Sequence, residues 1–252
     1  MIVFLLIFIL VAIIYIHLLF HWKVSNEIDV PHVASPQKDN LERIADLRQP
    51  FIFEQAVEEG IALKQYNDEV FIKKFNEGAI KVPHKAMLSA VKKEPYLSKD
   101  NNSFIKLSPF ISGGLEKCRE YLQPPMTMRE KHDVIYGNLG VFTDVATSEN
   151  YRNYFFVIEG DIEVKLCPPK SKSILDKAQD ASSDLWNENG NLQNECDIIV
   201  IPITKGSIIH IPAHWWYSIR FKTFACVVSY SYVTYMNALS QLPTKLKLKT
   251  FF

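Results

Sequence analysis

Histidine and carboxylate side chains in the second half of this sequence are its candidate metal ligands. His210 and His214 are four residues apart, and Asp144 and Glu149 precede them. Imidazole and carboxylate groups are common ligands of transition-metal ions. Pro212 separates the two histidines and breaks a shared strand face. One combination, Asp144 with Glu149 and His214, would hold a metal if the fold brought the three side chains together.

Motifs of other common chemistries are absent from the sequence. It contains no glycine-rich phosphate loop, no zincin motif and no serine-hydrolase motif, so these functions have no support. The 252 residues include 28 basic and 28 acidic ones, and a net charge of zero argues against general nucleic-acid binding. The four cysteines form no Cys-x-x-Cys pair, which predicts neither a zinc site nor a dense disulfide framework. They are Cys118, Cys167, Cys196 and Cys226.

The first twenty residues form an uncharged, apolar segment. About 20 residues in a helix span roughly 30 Å, the thickness of the hydrocarbon core of a bilayer. Trp22 and Lys23 follow where the membrane interface would lie. We predict a single-pass signal anchor over residues 1–22, with a cleaved signal peptide and a buried core helix as the alternatives. Because Lys23 follows the span and no basic residue precedes it, the soluble body is predicted to be cytosolic.

Between the anchor and the β-rich region the sequence is first polar and then mixed. Residues 23–46 predict a tether that becomes helical near 40–47. Residues 48–53 predict a short strand that Pro50 opens. Apolar spacing and turn residues predict two further helices, over 68–75 and 112–122, and a surface loop over 95–111.

After Pro124-Pro125 the sequence changes to short β-branched and aromatic runs that turn residues separate. They predict seven strands, over residues 133–142, 153–158, 162–167, 197–203, 207–211, 217–221 and 225–232. This pattern predicts a β-sandwich or barrel over residues 47–240.

Two polar segments do not fit the strand pattern. Residues 170–196 form a long insertion, and insertions of this length are functional or mobile. Residues 241–252 form a basic tail in which lysines and leucines alternate. The tail predicts an edge strand with a solvated basic face or, alternatively, contact with anionic lipid.

Three segments carry a resemblance to a known family. They are residues 48–53 (RQPFIF), residues 153–160 (NYFFVIEG) with the following strand that ends at Cys167, and residues 205–217 (KGSIIHIPAHWWY). In this order they resemble the cupin-like branch of the jumonji C hydroxylases, which includes the asparaginyl hydroxylase acting on hypoxia-inducible factor. The resemblance implies a mainly β fold, a double-stranded β-helix or jelly roll, with flanking helices.

The resemblance also implies where a metal site would lie. Active members of the family hold Fe(II) with two histidines and one carboxylate, and a lysine binds the cosubstrate 2-oxoglutarate. The resemblance places the histidines at Thr147 and Tyr217, the carboxylate at Glu149 and the lysine at Ile162. Neutral hydroxyls are weak iron ligands, and isoleucine provides no counter-charge for a buried carboxylate. We therefore expect no catalytic residue, no metal and no cofactor at these degenerate positions.

The sequence therefore predicts a membrane-anchored pseudo-hydroxylase that binds a protein or peptide without iron chemistry. Its candidate pocket residues are Asn153, His210, His214, Trp215 and Trp216, although paired tryptophans are also typical of a barrel core. One alternative is a divergent Fe(II)- and 2-oxoglutarate-dependent oxygenase with relocated ligands. Another is a structural jelly-roll component of a viral or organellar membrane.

Overall fold

The structure, a computed structural model, describes residues 2–34, 36–54, 95, 97–100, 118–178, 185–187 and 190–242. The predicted helix over 68–75 and the lysine–leucine part of the tail lie outside these residues. The predicted loop over 95–111 and helix over 112–122 are described in part, since Leu97–Ser98 is a strand and residues 118–122 are helical. The described chain is mainly β, with two sheets and several helices.

The apolar N-terminal segment is one continuous helix, α1 (Ile2–Trp22). It is long and apolar enough to cross a membrane, and none of its apolar stretch is buried against the rest of the protein. A core helix of a soluble protein would be mostly buried, so the exposure of α1 disfavours that alternative.

Seven strands form the larger sheet: β1 (His32–Val33), β2 (Phe51–Glu54), β3 (Leu97–Ser98), β4 (Thr127–Gly137), β6 (Arg152–Glu159), β9 (Ser207–His210) and β11 (Ala225–Thr234). Their order is β1-β2-β9-β6-β11-β4-β3. β1 and β2 are parallel, and the other neighbours are antiparallel.

Four strands form the smaller sheet: β5 (Ala146–Thr147), β7 (Ile162–Cys167), β8 (Ile199–Ile203) and β10 (Trp216–Phe221). Their order is β5-β10-β7-β8, and all neighbours are antiparallel. All seven strands predicted after Pro125 are therefore present, as β4 and β6–β11. The first predicted strand, over residues 133–142, differs most from the structure, because β4 begins at Thr127 and ends at Gly137.

The described helices, besides the helical residues 118–122, are α1, α2 (Lys38–Ala45), α3 (Lys172–Leu175), α4 (Leu192–Glu195) and α5 (Tyr235–Ser240). A 3-10 turn, Pro169–Ser171, precedes α3.

The apolar core has three parts. Successive side chains on each strand point to opposite faces of the sheet, so they belong to different parts. On β6, Phe155 and Val157 face the smaller sheet, and Tyr154 and Phe156 pack under α2 and residues 118–122. β6 is therefore buried on both faces. The third part covers the outer face of the smaller sheet and includes Leu175 from the insertion.

Two segments that the sequence marks as polar fold onto the body. Residues 23–46, predicted as a tether, contain β1 and also α2, which buries Leu41 and Ala45 on one helical face. The described part of the insertion over 170–196 forms α3 and α4 and buries Leu185 and Leu192. In both segments a few apolar residues at helical spacing suffice to cover a sheet.

Candidate functional site

The space between the two sheets changes from apolar to polar along the strands. Three neighbouring strands carry polar residues at its polar end: Asp133 and Lys131 on β4, Ser229 and Ser231 on β11, and Asn153 on β6. Cross-strand pairing aligns Ser229 with Asp133, and aligns Ser231 with both Lys131 and Asn153. The polar side chains therefore form two rows at one end of the larger sheet.

A cavity of about 290 Å³ lies at this polar end, and we call it the inter-sheet cavity. Its described wall carries five charged residues, Lys99, Asp100, Lys131, Asp133 and Asp144. Lys99 Nζ lies 2.7 Å from Asp144 Oδ2, and Lys131 Nζ lies 3.5 Å from Asp100 Oδ1. The Asp133 carboxylate instead accepts hydrogen bonds from the main-chain N–H groups of Asp100 and Val134, at 2.8 and 2.9 Å.

Asn153 organises the uncharged part of the inter-sheet cavity. Its Oδ1 accepts hydrogen bonds from Ser148 Oγ and Ser231 Oγ, both at 3.1 Å, and from Asn150 Nδ2 at 3.3 Å. Its Nδ2 donates to the Ile211 carbonyl at 3.3 Å. Because Asn153 is buried, this network fixes its amide and joins the two sheets at the cavity.

Thr147 and Tyr217, two of the degenerate positions, both line the inter-sheet cavity. β10 pairs Tyr217 with Ala146 and Trp216 with Thr147. Because opposite residues share a face and consecutive residues alternate, the side chains of Thr147 and Tyr217 lie on opposite faces of the smaller sheet. Burial raises the pKa of Tyr217 to about 12, which keeps its phenol neutral at neutral pH. Tyr217 therefore directs a neutral hydroxyl group into the space between the sheets, and the Thr147 side chain does not face it.

The other two degenerate positions lie elsewhere. Ile162 is buried in the apolar core between the sheets and does not line the inter-sheet cavity. Glu149 lines a second cavity of about 310 Å³, which we call the α1 cavity because Val24, just past the end of α1, also lines it. Thr147 lines both cavities. The four positions therefore do not converge on one point.

The five candidate pocket residues divide in the same way. Asn153 lines the inter-sheet cavity, and His214 and Trp216 line the α1 cavity. His210 and Trp215 are fully buried, and neither lines the inter-sheet cavity or the α1 cavity. The parity of β9 directs His210 to the outer face of the larger sheet, and Trp215 fills the core between the sheets.

His210 is a core histidine. Its ring centroid lies 4.8 Å from that of Phe51 and 5.0 Å from that of Tyr154. Burial, with a smaller effect from Arg152, lowers the pKa of His210 well below the usual value. The imidazole is therefore neutral at neutral pH.

The alternative triad of Asp144, Glu149 and His214 is not assembled. Glu149 and His214 share the α1 cavity, whereas Asp144 lies on the inter-sheet cavity beside Lys99. Within the ranges that the structure describes, no group of three His, Cys, Asp or Glu side chains is placed to hold a metal ion.

Sequence reasoning missed most of the polar residues of the inter-sheet cavity. A signal for two of them was present, since Ser229 and Ser231 occupy positions of one parity on β11 whose other such positions are apolar. Lys99 and Asp100 had no such signal, because they reach the cavity from a segment distant in sequence.

No protein-family model matches the chain, and no curated protein matches it either.

Proposed function

We propose that the protein is a membrane-anchored pseudo-hydroxylase, a cupin-like jelly roll that binds a protein or peptide segment without iron chemistry. α1 is its single-pass anchor, and the inter-sheet cavity is its binding site. The body lies on the cytosolic side, which Lys23 after the span favours. The four cysteines are buried and not in disulfide bonds in the described structure, as is common in a reducing compartment.

The order of the strands supports the jelly roll. A jelly roll has eight antiparallel strands in two facing sheets. Strands β4–β11 divide four and four, in the orders β9-β6-β11-β4 and β5-β10-β7-β8. The chain changes sheet at each connection among them except β7 to β8. In a jelly roll one chain builds both sheets in this way, by contributing strands to them alternately.

One observation carries the functional proposal. Where the resemblance expects two imidazole ligands, the chain has the Tyr217 phenol facing the inter-sheet cavity and Thr147, whose side chain lies on the opposite face of the smaller sheet. The nearby carboxylates of Asp144 and Asp133 already contact Lys99 and main-chain N–H groups. Fe(II) would have to be held by weak neutral donors and occupied carboxylates, which favours binding over oxygen chemistry.

The same cavity offers what an extended polar peptide needs. Ser229, Ser231 and Asn150 provide donors and acceptors for its main chain. The Lys99–Asp144 and Lys131–Asp100 pairs are solvent-exposed, and such pairs contribute about 0–1 kcal/mol. They can therefore open at small cost and pair with charges of both signs on a ligand.

The proposal is tested with the full chain in nanodiscs. A phage-displayed library of linear peptides is selected against the wild type and against Ser229→Phe, which fills the inter-sheet cavity. Lys205→Gln is the control, because Lys205 pairs with Glu159 at the opposite end of β6. We expect peptides that bind the wild type and the control equally and bind Ser229→Phe at least about tenfold more weakly.

A parallel assay addresses the chemistry. The protein is incubated with Fe(II) and 2-oxoglutarate under oxygen, and succinate is quantified. We expect no succinate above that of heat-denatured protein. Iron-dependent succinate formation would overturn the pseudo-hydroxylase, and a library that yields no peptide distinguishing the wild type from Ser229→Phe would overturn peptide binding at this site.

A further inference from the structure

The last turn of α1 is packed against the body. Trp22 Nε1 donates a hydrogen bond to the Ser240 carbonyl at 3.1 Å, and the His21 ring lies 5.0 Å from the Tyr151 ring. The Arg48 guanidinium lies over the rings of Phe20 and Tyr151, at 5.2 and 4.7 Å. With α1 in a membrane, these contacts hold the adjoining surface of the body at the membrane interface.

The α1 cavity lies on this surface. Val24 lines it only two residues after α1 ends. The main-chain carbonyl of Glu149, another lining residue, accepts hydrogen bonds from Asn237 Nδ2 at 3.1 Å and from Gln241 Nε2 at 2.7 Å. Asn237 belongs to α5, which packs against α1. One continuous set of contacts therefore links the anchor to the wall of the cavity.

The side chains of the α1 cavity match a ligand that carries both charges. The Glu149 carboxylate and the Trp216 ring are the kinds of group that recognise an ammonium ion. The Lys172 ammonium is a donor for phosphate oxygens. Glu149 and Lys172 have no ion-pair partner among the described residues, so both charges are available to a ligand.

His214 marks the cavity wall as a strained position. Its φ is 68°, a left-handed conformation that costs a non-glycine residue about 1–3 kcal/mol and is found most often at functional sites. The His214 N–H donates to the Ser148 carbonyl at 2.8 Å, which helps hold this conformation. Burial lowers the pKa of His214, so its imidazole is neutral and adds hydrogen-bonding capacity without charge.

We propose that the α1 cavity binds the headgroup of a zwitterionic phospholipid from the leaflet next to the body. Glu149 and Trp216 contact the ammonium group, and Lys172 contacts the phosphate. With one carboxylate and one ammonium, the cavity is neutral overall, which favours a zwitterion over an anionic headgroup or free phosphate. Its volume of about 310 Å³ is at the lower end of ligand sites, roughly 300–1,000 Å³. The inference rests on the proposed anchoring by α1, not on the inter-sheet cavity.

The test measures which lipids the full chain retains. Protein in maltoside micelles, which contain no phosphate, is mixed with equimolar phosphatidylcholine, phosphatidylethanolamine and phosphatidylglycerol, and bound lipid is measured by native mass spectrometry. We expect retention of the two zwitterionic lipids over phosphatidylglycerol. Glu149→Gln and Lys172→Gln should each reduce retention about tenfold, the loss of one charge-assisted contact. Lys177→Gln, an exposed lysine that does not line the cavity, is the matched control.

Two further measurements, competition with inorganic phosphate and carbonate extraction of membranes, distinguish the remaining outcomes. Inorganic phosphate that displaces bound lipid as well as phosphocholine does would indicate a free-phosphate site and overturn the inference. Equal retention of all three lipids, or retention that Glu149→Gln leaves unchanged, would also overturn it. Extraction of cell membranes with alkaline carbonate tests the anchor separately. Release of the protein would contradict the anchoring, whereas a retained protein without headgroup preference would contradict this inference alone.

Discussion

Gln241 donates its side-chain amide to the main-chain carbonyl of Glu149 at 2.7 Å, and to Asn237 Oδ1 at 3.1 Å. Gln241 directly follows α5, the helix that packs against α1, and Glu149 follows β5. The contact therefore joins the residue after α5 to the loop that connects β5 of the smaller sheet with β6 of the larger sheet.

The first prediction concerns this contact. Gln241→Leu preserves side-chain size but removes the hydrogen bonds to the buried Asn237 Oδ1 and to the Glu149 carbonyl, which keeps only its bond from Asn237 Nδ2. We expect a loss of about 1–3 kcal/mol in the free energy of unfolding. Denaturation in micelles, followed by tryptophan fluorescence, measures the loss. Leu242→Ala changes an exposed neighbour and should stay within about 0.5 kcal/mol of the wild type. Equal stability of the two variants would contradict the prediction.

The second prediction introduces imidazoles into the inter-sheet cavity. Ala146→His combined with Tyr217→His places two imidazoles at paired positions of this cavity, whose wall also carries the carboxylates of Asp133 and Asp144. We expect the double variant to bind Co(II) under anaerobic conditions, because imidazole and carboxylate form a site for divalent metals. Metal content after gel filtration measures the gain. Each single variant is the control and should bind markedly less; a double variant no better than either control would show that the two positions do not converge.

The third prediction is a loss of stability in mild acid that His210 causes. Its folded pKa is lowered by burial and by the nearby Arg152 and Arg48, so the folded state stays neutral while the unfolded state takes up a proton below about pH 6.5. Protonation then favours unfolding as the pH falls from 6.5 towards the folded pKa. The slope reaches about 1.4 kcal/mol per pH unit for one group.

His210→Phe removes this group and keeps a ring between Phe51 and Tyr154. Between pH 7 and pH 5 we expect a shallower fall in the unfolding free energy for the variant than for the wild type. His32→Gln replaces an exposed histidine and should keep the wild-type slope. Parallel pH profiles for wild type and His210→Phe would show that another group causes the acid sensitivity.

The fourth prediction compares two glycines with positive φ. Gly140 has a φ of 86°, and a Cβ added there would have no described atom within 4 Å beyond its chain neighbours. Gly160 has a φ of 76°, and a Cβ there would lie 2.4 Å from the Phe224 carbonyl oxygen. Gly140→Ala should cost about 1–2 kcal/mol from backbone strain alone. Gly160→Ala adds a clash with the main chain and should exceed about 3 kcal/mol. Thermal unfolding measures both, and similar losses would contradict the role of the clash.

The ends of a strand could be predicted from the sequence where turn residues lie on both sides of an apolar run. β7 matches its prediction at both ends because Gly160-Asp161 and Pro168-Pro169 enclose it. β4 was predicted too late because its first half, residues 127–132, is mostly polar. That half pairs with the end of β11, and its Lys131 lines the inter-sheet cavity. Because the half lacks an alternation of apolar and polar residues, nothing in the sequence indicates that the strand begins there.

The arrangement of the candidate site could be predicted only in part. Thr147, Tyr217 and Asn153 all line the inter-sheet cavity. His210 and Glu149 do not join them, because the face on which a side chain lies depends on strand parity and on local turns such as the left-handed His214. The contacts of α1 with Ser240 and Tyr151 join residues more than 100 positions apart, and no local pattern encodes them.

The bonded last turn of α1 has a consequence for how the protein encounters its targets. A domain on a pliable linker sweeps a volume that grows with linker length. Here Trp22 and His21 remove that freedom, so a change in the tilt of α1 turns the whole domain with it. If α1 spans a membrane, as we propose, the cavities capture ligands only from a thin layer above the lipid surface. Under that proposal, proteins that diffuse within the same bilayer meet the cavities far more often than proteins arriving from bulk solution.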